Sequence, residues 1–147
     1  MEPFNWQHLS AIGAVLTTPT GRRPRWFLAL HPGPIRSPQV VRFLQALRRH
    51  VRRRVILLWD RLPAHRSRLV AQALARHRRW LTVEWLPAYA PELNPMEPFW
   101  NHLDATALAN TPAADLPALR RRIRNGTRRV RRRPPLGRAF LKYTGLF

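Results

Sequence analysis

The 147-residue chain contains no cysteine. Disulfides, thiol nucleophiles and cysteine-bound zinc are therefore excluded. Acids are scarce: seven Asp and Glu stand against 27 Lys and Arg, for a formal net charge of +20. Lysine is nearly absent as well, because Lys142 is the only one and every other basic residue is arginine. Long apolar runs are missing. The longest, Val55–Trp59, is far short of the ~18–20 residues that span a membrane. The opening stretch Met1-Glu2-Pro3-Phe4-Asn5-Trp6 has no charged segment followed by an apolar one. No signal peptide is expected, and the chain reads as cytoplasmic.

What is present points to a folded domain. Hydrophobic residues make up 45% and aromatics 10%, enough for a core in a chain of one domain's length. Arginine presents a planar fork that matches phosphate. Acidic small molecules need a few positive charges, whereas a field of this size is suited to nucleic acid. Codon bias toward arginine would raise the basic count without explaining the shortage of acids. The density peaks between residues 120 and 133, where nine of fourteen are arginine: Arg120, Arg121, Arg122, Arg124, Arg128, Arg129, Arg131, Arg132 and Arg133. This tract reads either as a solvated helix face or as a surface contacting phosphates, with strongly salt-dependent binding. No zinc finger or helix-turn-helix pair accompanies it, so base-specific recognition is not visible.

Periodicity gives the order of elements. His8–Leu16 and Arg25–Leu30 read as strands of a hairpin across the turn chemistry of Thr17–Arg23. Ser37-Pro38 offers an N-cap and first helical proline, and Val40, Leu44, Leu47 and Val51 follow at helical spacing. Val55–Trp59 (VILLW) has the pattern of a strand buried on both faces. Ser67 caps a second predicted helix with Val70, Ala73, Leu74 and His77 on one face, and Leu81–Leu86 reads as a further strand. Pro87–Pro95 is a loop, and Met96–Leu108 is a helix. Leu116, Leu119, Ile123 and Val130 mark another, weakened by Gly126, which Pro134-Pro135 ends. Strands alternating with helices indicate an α/β domain with a mixed sheet flanked by helices.

Seven acids can be weighed singly. Asp60 directly follows an apolar strand, at the end where α/β sheets collect sites; a turn or an arginine pair would also explain it. Glu97 lies in Tyr89-Ala90-Pro91-Glu92-Leu93-Asn94-Pro95-Met96-Glu97-Pro98-Phe99-Trp100, where a first-turn glutamate also suits the positive helix end. Together they suggest a hard divalent cation, since Mg²⁺ and Mn²⁺ prefer carboxylate oxygens. Two metals about 3.5–4 Å apart stabilise the attacking and leaving oxygens of phosphodiester cleavage, and such a centre needs a third carboxylate. Glu2, Glu84, Glu92 and Asp104 read as surface groups and Asp115 as a helix cap. His65, five residues beyond Asp60, could approach the site or make a structural hydrogen bond.

These segments resemble one family. Val55–Ser67 (VILLWDRLPAHRS) is similar to the segment around the second aspartate of mariner-like DDE transposases, in their bacterial insertion-sequence branch. Tyr89–Trp100 (YAPELNPMEPFW) is similar to that family's segment around its third acid. Leu9–Ala14, His31-Pro32-Gly33 and Val40–Leu44 fit as well, so the likeness covers nearly the whole chain. The resemblance implies an RNase H-like fold and DNA strand cleavage and transfer at Mg²⁺ (or Mn²⁺). Asp60 and Glu97 carry over as catalytic metal ligands, with Asn94 and His65 as site support and the arginine tract as DNA contact. The family's first aspartate, on the first and central strand, has no counterpart here, since Glu2 is the only acid before Asp60. The expectation is a partial catalytic domain over residues 1–114, with an arginine-rich helical extension over 115–147 packed on it. It would be inactive alone, and its two-metal site would assemble only when the missing Asp is supplied, for instance by an upstream-frame product. Implied partners are transposon ends and target DNA, and further copies of the completed chain, with no membrane. The alternative is a non-enzymatic DNA-binding remnant.

Overall fold

A computed structural model describes residues 8–109 and 115–147 of the chain. β1 (Leu9–Leu16) and β2 (Arg25–Pro32) form an antiparallel hairpin running from the Leu9–Pro32 pair to the Leu16–Arg25 pair. α1 (Ser37–His50) follows. Its cap is Arg36 rather than Ser37: the Arg36 N–H donates to Gln39 Oε1 at 3.0 Å, and Ser37 is already helical. Pro38 is still tolerated, because the first N–H groups of a helix have no acceptor within it.

β3 (Val55–Trp59) and β4 (Leu81–Trp85) pair in parallel through α2 (Arg68–Arg76), from the Val55–Leu81 pair to the Trp59–Trp85 pair. A helical crossover is what a parallel pair requires. Ser67 caps α2 as expected, accepting from Val70 N–H at 3.3 Å. The strands do not join in one mixed sheet, and the gap falls where the resemblance implies an absent central strand. The hairpin and the parallel pair are two separate two-stranded sheets, because among the described residues no strand bridges β1 and β3. The expectation for Val55–Trp59 also needs correcting. Val55, Leu57 and Trp59 pack against Leu44, Trp80 and Leu81, but Ile56 and Leu58 on the opposite face are 66% and 45% exposed. An unbroken apolar run cannot distinguish one covered face from two; here α1 and α2 cover only one.

A second core packs one face of the hairpin against three helices, α3 (Met96–Thr106), α4 (Leu116–Arg131) and α5 (Pro134–Tyr143). Trp26, Phe99, Leu103, Ile123, Val130 and Phe140 meet there. Asp115 caps α4, its Oδ1 accepting from Ala118 N–H at 2.7 Å. Pro134-Pro135 ends one helix and begins the next, because proline is favoured where helical N–H groups go unused.

Gly126 looks like a helix weakness in sequence, but packing explains it. A Cβ there would lie 2.7 Å from Leu103 Cδ2 and 3.0 Å from Ala107 Cβ, so the glycine lets α4 approach α3. Gly126→Val is expected to cost about 1–3 kcal/mol through overpacking, read as a lowered midpoint in thermal unfolding. An unchanged midpoint would refute this account of the packing. Gly13 serves β1 in the same way: a Cβ would meet Met96 Cε at 2.6 Å and Trp100 Cζ2 at 3.0 Å. The hairpin therefore lies directly on the helix that carries Glu97.

Candidate active site

Asp60 is the first residue beyond β3, at the carboxyl end of the parallel pair. Its Oδ1 accepts the Leu62 N–H at 3.2 Å and pairs with His65 Nδ1 at 2.6 Å. The tight turn leads into a 3-10 turn over Pro63–Arg66, which brings the His65 ring back over the strand end. His65 is 9% exposed. It stacks on Trp59 at 4.3 Å, and Trp59 stacks on Trp85 at 5.7 Å with the planes 3° apart. The two tryptophans are register partners, so the parallel pairing itself creates the stack. Beyond the strands, Leu86 N–H donates to Trp59 O at 2.7 Å and Arg61 Nε to Leu86 O at 3.1 Å, tying the two chain ends together.

Burial pushes the Asp60 carboxyl up. The His65 hydrogen bond, the Leu62 N–H and the His65 charge outweigh it and hold the group below its ordinary value. An ionised carboxylate only accepts, so Nδ1 of His65 carries the proton in this bond. The Asp60 side chain is 36% exposed, and its Oδ2 takes no hydrogen bond among the described residues. One oxygen is fixed and the other is open.

Glu97 is the second residue of α3 and is half-buried. Asn94 organises the turn before it: its Oδ1 accepts Met96 N–H at 3.0 Å and its carbonyl accepts Glu97 N–H at 3.1 Å. Met96 and Phe99, buried on either side of Glu97, anchor the helix in the core. The structure thus brings Asp60 and His65 together, and Asn94 and Glu97 together. No hydrogen bond or ion pair links the two pairs among the described residues. Nor do the described residues hold any group of three or more His, Cys, Asp or Glu that could bind a metal ion.

Of the nine arginines, Arg121, Arg124, Arg128, Arg129, Arg131, Arg132 and Arg133 are exposed, and Arg120 and Arg122 are half-buried. Arg131 is committed internally, donating from Nε and Nη2 to the Trp26 carbonyl at 3.1 and 2.8 Å. Glu84, Glu92 and Asp104 are exposed, and Glu2 lies outside the described residues. Sequence reasoning missed the Trp59–Trp85 platform under His65. Its signal was a tryptophan near the end of each apolar run, Trp59 and Trp85. Among the described residues no helix is long and apolar enough to cross a membrane.

A family model described as DDE superfamily endonuclease matches residues 2–120. Three solved structures share the fold. The Mos1 transposase catalytic domain with raltegravir and Mg is 19% identical, with a TM-score of 0.54 over 93% of this chain and 83% of that one. The catalytic domain of Mos1 mariner transposase is 18% identical, with a TM-score of 0.53 over 95% and 82%. The Mos1 mariner paired end complex with Mn is 16% identical, with a TM-score of 0.53, and this chain covers 54% of that one. A sequence comparison with curated proteins finds no match.

Proposed function

This chain belongs to the DDE superfamily endonucleases, and on that premise we propose that it is part of an insertion-sequence transposase catalytic domain that cuts and joins DNA. The observation that carries the reading is Asp60, held through one oxygen by His65 at 2.6 Å with the other left open. Residues 1–114 supply the RNase H-like part. Residues 115–147 are the arginine-rich extension, which shares the core through Ile123, Val130 and Phe140.

The donors fit a hard divalent cation. Asp60 is ionised and presents Oδ2, Glu97 offers a second carboxylate, and Mg²⁺ commonly binds one or two carboxylates and keeps its waters. When bound, such a pair of ions stabilises the attacking and leaving oxygens of phosphodiester cleavage. His65 holds Asp60 in a single orientation, Asn94 sets the first turn of α3 beneath Glu97, and the exposed arginines of the tract other than Arg131 face the DNA backbone.

These 147 residues alone do not cut DNA. A third acid is required, and a strand carrying it completes the sheet between β1 and β3, where two sheets now stand apart. An upstream-frame product is the proposed source, and the completed protein self-associates on transposon ends. The absence of a three-donor group among the described residues favours one second reading, a remnant that binds DNA without cutting it.

The test is plasmid nicking in Mg²⁺ or Mn²⁺, with and without a polypeptide bearing the upstream strand and its Asp. No nicking is expected from the chain alone. In the reconstituted protein Asp60→Asn and Glu97→Gln should each abolish it. His65→Leu should lower Mn²⁺ affinity by about 10–100-fold, while His65→Asn, which keeps a donor near Nδ1, should restore much of it. Nicking by the isolated chain that Asp60→Asn abolishes would overturn the dependence on a partner. Nicking that survives Asp60→Asn would overturn the site.

A further inference from the structure

The outer edge of β2 has chemistry that the arginine tract alone did not reveal. Gly33 N–H donates to the His8 carbonyl at 2.8 Å, which sets the phase of the hairpin ladder. The alternation then turns the N–H and C=O groups of Trp26, Leu28 and Leu30 away from β1, toward α4. At Trp26 the outward carbonyl is taken by both arms of the Arg131 fork. One and two turns earlier on α4, Arg128 and Arg124 face Leu28–Leu30 across a 290 Å³ groove that Thr127 and Arg131 also line.

No carboxylate lines this groove. Arg124, Arg128 and Arg131 share it. The guanidinium groups of Arg124 and Arg128 make no hydrogen bond or ion pair among the described residues, while that of Arg131 is braced on backbone. Like charges gathered against an apolar strand wall focus positive potential, and an anion seated there relieves their repulsion. It would meet two forks able to bind phosphate through paired N–H groups, together with the outward N–H groups of Leu28 and Leu30.

We propose that this groove seats a phosphodiester group of DNA, held by Arg124 and Arg128 with Arg131 as a structural brace. The proposal rests on the DNA-binding reading above and deepens it: within the tract, the arginines beside the β2 edge position the backbone, and the others contribute diffuse field.

The probe is a fluorescein-labelled 20-base-pair duplex, followed by anisotropy at several salt concentrations, with thermal unfolding as the folding control. Arg124→Ser with Arg128→Ser should weaken binding on the order of tenfold or more near 100 mM salt. It should also lower the slope of log affinity against log salt by about one, the value for a single lost phosphate contact. Arg121→Ser with Arg129→Ser removes the same charge from exposed positions that do not line the groove, and its effect should be several-fold smaller. Arg78→Ser with Arg79→Ser, at the turn before β4, is the charge-matched control. Arg124→Lys with Arg128→Lys keeps the charge and loses the fork; a loss of about threefold with an unchanged slope is expected. The Leu28 and Leu30 amide signals should shift when duplex is added. Equal losses from the 124/128 and 121/129 pairs, or Lys variants that bind like the parent, would overturn the groove and leave DNA binding standing. No measurable binding by the parent chain would instead overturn the DNA-binding reading itself.

Discussion

Raising the salt concentration from about 50 to about 200 mM is expected to weaken binding of this chain to duplex DNA by about 10³-fold or more. The expectation follows from composition and placement together. The formal charge is +20, and seven of the nine tract arginines are exposed. Each neutralised phosphate releases condensed counterions, so six to ten contacts give a fall of roughly 10³–10⁵ over that range. Arg131 should contribute little, because its fork already holds the Trp26 carbonyl. Arg131→Ser should instead act on folding, by freeing a strand-edge carbonyl. Equilibrium anisotropy titrations give the affinity at each salt concentration. Affinity that changes less than about tenfold across the range would contradict backbone contact as the main source of binding.

Phe99→Ala is expected to cost about 3–5 kcal/mol of stability. Phe99 is 1% exposed and lies at the centre of the aromatic core. It stacks on Trp26 with ring centroids 4.9 Å apart, and meets Trp100 and Phe140 edge-on at 5.0 and 6.5 Å. Truncation leaves a cavity where strand β2 and helices α3 and α5 meet. Domains of this size are stable by roughly 5–15 kcal/mol, so the loss would take a large share of the total. Glu97 sits two residues earlier on the same helix, and its position depends on that packing. Tyr89, in the same sequence motif, is the internal contrast. It is fully exposed, so Tyr89→Ala should change stability by about 0.5 kcal/mol or less. Urea denaturation of the two variants decides the matter. A loss below about 1 kcal/mol for Phe99→Ala would mean that this core does not hold α3.

Local patterns carried much of this. The hairpin, the parallel strands, α2 with its Ser67 cap and α4 with its Asp115 cap are all legible, because turn residues, apolar spacing and capping oxygens act over a few neighbours. Asp60 and Glu97 stand out because acids are so few and each ends or begins an element. Other features are long-range and leave no local trace. The Arg36 cap depends on Gln39 reaching back to it. The exposure of Ile56 and Leu58 depends on which faces α1 and α2 cover. The role of Gly126 depends on Leu103 and Ala107 of another helix.

By itself, the sequence determined that this is a cysteine-free, arginine-dominated α/β chain suited to nucleic acid, with two carboxylates in site-like positions. Composition and short-range spacing suffice for that, since charge and chain propensity need no partner. Only the tertiary structure decided that one face of β3 stays uncovered, that His65 orients Asp60 from a tryptophan platform, and that Arg131 braces β2 while the side chains of Arg124 and Arg128 remain open. Those outcomes depend on strand register and helix packing, which bring together groups as far apart in sequence as Trp26 and Arg131. No local pattern encodes contacts at that separation.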